Sequence, residues 1–261
     1  MTSNIAPSNS NPMTLSPEAL ARMRGAAPTD DFKPDDKLIP FLQIVQATSG
    51  FVQRNDPEFV EDARPGDILD TLNKRPRQHV AFVPVKYEKV YSEWKPNRGA
   101  LVKFWGTDAS KYDASGTDYA TRKTAEGNDI VPAANYYGLT VNEDGSTQRV
   151  VVRMTGTQFK KSRRLNSLIG MLRLPAGDGT TFEPPMYARV YAMASVPESN
   201  DQGAWHGWKI EPGGLLLEIA GGSVIFDEAE KLRRELDAGT ARAAPIAETS
   251  PAARGDDQIP F

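Results

Sequence analysis

The stretch from Asn135 to Thr157, NYYGLTVNEDGSTQRVVVRMTGT, constrains the fold more than any other part of the chain. Two apolar runs flank the turn residues NEDGS, and that spacing is the signature of a β-hairpin. A second run, HVAFVPVKYEKVYSEWKP, predicts one long strand or two consecutive ones, with Pro84 placing a bulge or an edge at its middle because proline cannot donate to a ladder. In its second half Tyr87, Lys89 and Tyr91 share one face by the two-residue period, while Lys86, Glu88, Val90 and Trp94 share the other. Shorter strands are expected in KLIPFLQIVQATSGFV, in RPGDILDTL after a Pro-Gly turn, and in MYARVYAMASVP, GAWHGWKIEP and LLLEIAGG.

Helical patterns are few. TQFKKSRRLNSLIGMLRL carries an apolar stripe of Phe159, Leu165, Ile169 and Leu172, DEAEKLRREL is a short charged helix with Asp227 at its start, and SPEALARMRG is capped by Ser16 with Pro17 first. Many short strands around one substantial helix predict a mainly β (α+β) chain, a barrel or mixed sheet rather than a βαβ array. The polar stretch from Gly106 to Ala134 has no apolar period and reads as a loop.

With 261 residues the chain has ample length for a core, and with no cysteine it has neither disulfides nor thiolate metal sites. The organisation expected is a flexible lead over 1–36, a folded body over 37–237, an Ala/Pro/Thr/Gly linker over 238–255 and a distinct tip over 256–261. The start lacks a basic region followed by an apolar one, and no run reaches membrane-span length, so a cytoplasmic, non-membrane protein is expected.

Net charge is −3, yet the charges are segregated. From Gln148 to Arg173 there are seven cations and no acid, and from Lys74 to Lys103 eight cations against Glu88 and Glu93. Basic middle segments with acids collected elsewhere can hold a polyanion while the chain stays soluble. Rings are interleaved with these cations. Tyr87, Tyr91, Trp94 and Trp105, with Lys89, are the candidates for base stacking and phosphate contact, whereas Trp205 and Trp208 are expected to pack. Lys160, Lys161, Arg163 and Arg164 stand at a strand-to-helix junction with no acid beside them in sequence, a second candidate phosphate contact. Enzyme signatures are missing: His79 and His206 lie far apart, no glycine-rich stretch matches a phosphate-binding loop, and neither a cofactor nor a metal is implied.

The final residues, DDQIPF, combine acids with an apolar end. Ile259 and Phe261 suit a small apolar pocket, Pro260 stiffens the segment, and Asp256, Asp257 and the terminal carboxylate suit a basic rim. This tip resembles that of bacterial single-stranded-DNA-binding proteins, which end Asp-Asp-Asp-Ile-Pro-Phe, with Gln258 departing. The body resembles a group of bacteriophage single-stranded-DNA-binding proteins through LIPFLQIVQATSG, PGDILDT, VPVKYEKVYSEWKP, MTGTQFKKSRRLNS and NDQGAWHGWKIE. That resemblance implies an oligonucleotide-binding (OB) barrel elaborated by insertions that coats viral DNA in a bacterial host, while the Gly and Pro content separately predicts disordered terminal tails. It implies single-stranded DNA as ligand and host or phage replication and repair proteins as partners of the tip; the sequence leaves the oligomeric state open, a homo-oligomer included. Two rival expectations are an adaptor that mimics the host tip without binding DNA, and a strand-annealing recombination protein.

Overall fold

The computed structural model describes residues 16–24, 32, 37–96, 100–107, 123–201 and 203–244. The chain divides into two units, Met1–Lys37 and Leu38–Phe261. In the first, helix α1 (Pro17–Arg24) begins as its sequence predicts. Ala19 N–H donates to Ser16 Oγ at 3.2 Å, which satisfies an amide that the first helical turn leaves without a partner.

The second unit is built on β1 (Leu38–Ile39), β2 (Phe41–Ile44), β3 (Ile68–Asp70), β4 (His79–Trp94), β5 (Leu101–Gly106), β6 (Asp129–Val141) and β7 (Thr147–Thr155). Helix α2 (Phe159–Gly170) follows, then β8 (Leu174–Pro175), β9 (Thr181–Phe182), β10 (Arg189–Asn200), β11 (Gly203–Leu215), helix α3 (Gly222–Asp237) and β12 (Arg242–Ala243). The main sheet runs β11-β10-β4-β6-β7-β2-β3, antiparallel except for β2 beside β7. β4 carries it. It pairs with β6 along Ala81 to Trp94, and on its other edge with β10 at its start and β5 at its end.

The expected hairpin is β6–β7. Val141 pairs with Thr147, Asn142 N–H donates to the Ser146 carbonyl at 2.9 Å, and Gly145 supplies the positive φ of +78° that the turn needs. The bulge expected at Pro84 is present as a register shift between Pro84 and Lys86. The extra residue swaps faces: Phe82 and Tyr87 both look into one apolar cluster, while Val83 and Val85 look into another.

Those two clusters lie on the two faces of the sheet. The inner one joins Phe82, Tyr136, Val152, Tyr191, Met193 and Trp208 to Phe159 and Leu165 of α2. The outer one joins Val83, Tyr137, Leu139 and Val151 to Ile225, Ala229, Leu232 and Leu236, which recur along one stripe of α3.

Curling of the sheet brings its ends together, and a side chain makes the seam. Buried Gln46, just beyond β2, donates from Nε2 to the His206 carbonyl at 2.8 Å, and its Oε1 accepts the His206 N–H at 2.8 Å. One amide side chain thereby does for β11 what a neighbouring strand residue would do. Next to it, Trp208 N–H donates to Gln158 Oε1 at 2.9 Å. Gly66 faces the His206 ring with φ of +95°, and a Cβ there would come 3.0 Å from the ring. The result is a curled half-barrel with few helices, an elaborated OB-like β architecture as the sequence predicts.

Three expectations are corrected. LLLEIAGG is not a strand: β11 ends at Leu215 and Leu216–Glu218 forms a 3-10 turn that buries Leu216 and exposes Leu217. α3 starts at Gly222, five residues before Asp227, because Ile225 belongs to its buried stripe. Asp129 to Ala134 is not loop but the start of β6, and its Ile130 to Ala134 are buried, so the run shows no polar alternation to read. The middle of that presumed loop, 108–122, lies outside the described residues.

Gly222 lets α3 fold back against the 3-10 turn, since a Cβ there would lie 1.6 Å from the Leu216 carbonyl oxygen. Gly222→Ala is therefore expected to destabilise by about 1–3 kcal/mol through overpacking, read as a lower urea midpoint with unchanged slope.

Candidate nucleic-acid interface

The inner face of β4 past the bulge is where the predicted residues gather. Tyr87, Lys89, Tyr91 and Glu93 point the same way by the two-residue period, and α2 lies beside them. The helix is pinned from below. Tyr136 OH, fully buried on β6, is 2.9 Å from the Ser162 carbonyl oxygen and 2.8 Å from Asn166 Oδ1. Burial, reinforced by the neighbouring Tyr87, holds its pKa well above the ordinary tyrosine value, so it stays a neutral donor. Tyr87 packs on that ring at 5.1 Å between centroids.

Cations and rings alternate across this face. Lys89 Nζ lies 5.3 Å from the Tyr91 ring centre and 5.7 Å from that of Phe159, and the Arg163 guanidinium lies 5.8 Å from Phe159 on the same ring. On β5, Lys103 Nζ sits 4.0 Å over the Trp105 ring, and Trp105 Nε1 donates to Glu93 Oε2 at 3.0 Å. The register puts Lys103 directly opposite Glu93. Tyr91 and Phe159 are buried as the floor of this face, whereas Trp105 is half-buried and Phe104, opposite Ser92, is exposed.

The structure brings Tyr87, Lys89, Tyr91, Trp105 and Arg163 together and separates the other candidates from them. Trp94 is buried on the opposite face, with Nε1 donating to Ser92 Oγ at 2.9 Å. Lys160 and Arg164 are exposed on the outward side of α2, one turn apart. Lys161 turns to the other flank and pairs with Glu198 of β10, which also accepts Trp205 Nε1 at 2.9 Å and Gln158 Nε2 at 3.4 Å. The helix cluster is thus not free of acids. Glu198 is far away in sequence and close only through the fold. Trp208 packs in the core as expected, and Trp205 is held by Glu198.

Other cations of the basic segments serve the outer face. Arg149 binds Glu228 at 3.2 Å and Glu235 at 2.5 Å, fastening α3 to the sheet. Burial alone would lower its pKa, but Glu235 and Glu228 together hold it above the ordinary arginine value. Lys86 binds Glu88 at 3.3 Å and Asp237 at 3.2 Å.

Sequence reasoning missed Lys103, Glu93, Asn128 and Phe159 as members of this face. The first two were legible as the two-residue neighbours of Trp105 and Tyr91; the last two required the fold. The tip residues Asp256, Asp257, Ile259, Pro260 and Phe261 lie outside the described residues.

Fold and site together define a mainly β protein of OB-like architecture whose half-barrel carries a face of alternating cations and rings. Among the described residues no helix is long and apolar enough to cross a membrane. The Pam3 phage gp34-like protein family matches residues 10–242, and the chain belongs to that family. The phage association expected from the body of the sequence therefore holds at family level. No curated protein and no solved structure matches the chain.

Proposed function

We propose that the protein is a non-enzymatic, largely sequence-independent single-stranded-DNA-binding protein serving phage DNA replication, recombination or repair. The observation that carries this reading is the sequence of cation and ring across the inner face: Lys103 on Trp105, then Tyr91, Lys89, Phe159 and Arg163. Half-buried Trp105 offers stacking to any base, buried Tyr91 and Phe159 underlie the cations that follow the phosphates, and exposed Lys160 and Arg164 extend the positive strip along α2. The tip at Asp256, Asp257, Ile259, Pro260 and Phe261 then recruits replication or repair proteins of the host or the phage, from the far end of a linker.

Titration of the full chain with thymine oligomers, followed by tryptophan fluorescence at low and high salt beside duplex of the same length, tests this. Trp105 is expected to be quenched by single strands, with affinity falling steeply as salt rises and much weaker binding of duplex. No quenching and no gel shift would refute DNA binding and leave the adaptor reading. Faster pairing of complementary strands in the same preparation would assign the annealing activity instead.

A further inference from the structure

Glu93 is an acid where the proposed ligand is a polyanion. It is 6% exposed, on the same face of β4 as Lys89 and Tyr91, and burying a carboxylate is costly unless its oxygens are satisfied. Both are. Oε2 accepts the Trp105 indole N–H at 3.0 Å and Oε1 accepts Asn128 Nδ2 at 2.7 Å. An apolar side chain would fill the space, but it would leave the Trp105 indole N–H and buried Asn128 without an acceptor. What the carboxylate adds is direction: it fixes the plane of the half-buried Trp105 indole.

We propose, resting on the DNA-binding reading above, that Glu93 is a positioning residue that holds Trp105 as a preset base-stacking platform, and that Lys103 caps the ring until a base displaces it. Lys103 Nζ occupies the position over the ring, 4.0 Å from its centre, that a stacked base would take. An N–H bonded to a carboxylate leaves the indole richer in electrons, which strengthens its hold on either occupant. The negative charge of Glu93 also sets the ligand's orientation. Phosphates are driven from the Glu93 side toward Lys89 and Arg163, and bases are turned toward Trp105. Once displaced, Lys103 is close enough to neutralise a phosphate, so the exchange replaces a cation–ring contact with a stacked base and an ion pair.

The test compares a thymine oligomer with an abasic oligomer of the same length, in the full chain and in Glu93→Ala, Glu93→Gln and Trp105→Phe. Glu93→Ala is expected to cut the preference for thymine over the abasic oligomer about tenfold, within the range one stacked base contributes, whatever the lost charge does to both alike. Glu93→Gln, which still offers an oxygen to the indole, is expected to keep the preference for thymine. Trp105→Phe retains a ring but no N–H, and is expected to lose the preference as Glu93→Ala does, which covers the case of an alanine variant that does not fold. Preference for thymine retained in Trp105→Phe, or in a folded Glu93→Ala, overturns the assignment of Glu93 and leaves the DNA-binding reading in place. Binding of neither oligomer by the unaltered chain overturns both.

Discussion

Gln46→Ala is expected to lower the unfolding free energy by about 2–3 kcal/mol, because the His206 N–H and carbonyl would each lose a partner where the curled sheet meets itself. Gln46→Leu, of nearly equal size, should cost a similar amount. If leucine restores stability, the loss in alanine is a cavity effect and the seam contributes nothing through its hydrogen bonds. The effect should be largest on the hydrogen-exchange protection of β11, whose His206 and Trp208 amides both end on glutamine side chains. A seam made by side chains rather than by a backbone ladder concentrates barrel closure in two residues, so single substitutions there should have effects that β-ladder positions spread over many bonds.

Replacing Lys89 and Arg163 together by alanine should weaken binding of a thymine oligomer by about 10- to 100-fold near 0.1 M salt and flatten the salt dependence by about 1.4 in log–log slope, at roughly 0.7 for each phosphate left without its cation. Lys161→Ala makes the contrast. That ammonium is committed to Glu198, so its removal should lower the melting temperature by weakening the hold of β10 on α2 and leave the salt slope as it was. An unchanged slope in the double variant would remove the inner face from the DNA-binding reading. A slope that flattens in Lys161→Ala instead would show that the pair opens to meet phosphate.

Much of the fold was written locally. The β6–β7 hairpin follows from NEDGS between apolar runs, the β4 bulge from Pro84, and the α1 cap from Ser16 and Pro17, all signals within a few residues of the feature they specify. What was hidden depends on distance. Glu198 neutralises Lys161 from 37 residues away, and Arg149 meets Glu228 and Glu235 from 79 and 86 away, so counting charges in a window overstated the free positive surface. The start of β6 was hidden for another reason: buried on both faces, it has no polar alternation. The site was half legible. The two-residue period placed Lys89 and Tyr91 together and already set Trp94 on the other face, so its candidacy rested on the charges around it in sequence, and its burial there depends on the packing.

β1 and β12 pair in parallel, Leu38 beside Arg242 and Ile39 beside Ala243, and Ala243 and Ala244 pack against the outer cluster with Ile39. The body is therefore entered and left at one point, on the side of the sheet that α3 covers and the ring-bearing face does not. On the proposed function, a tether that starts there would leave from the face opposite the one assigned to the strand. If the proposed function holds, a strand on the ring-bearing face and a protein recruited through whatever follows Ala244 start from opposite faces of the sheet and need not compete for one surface.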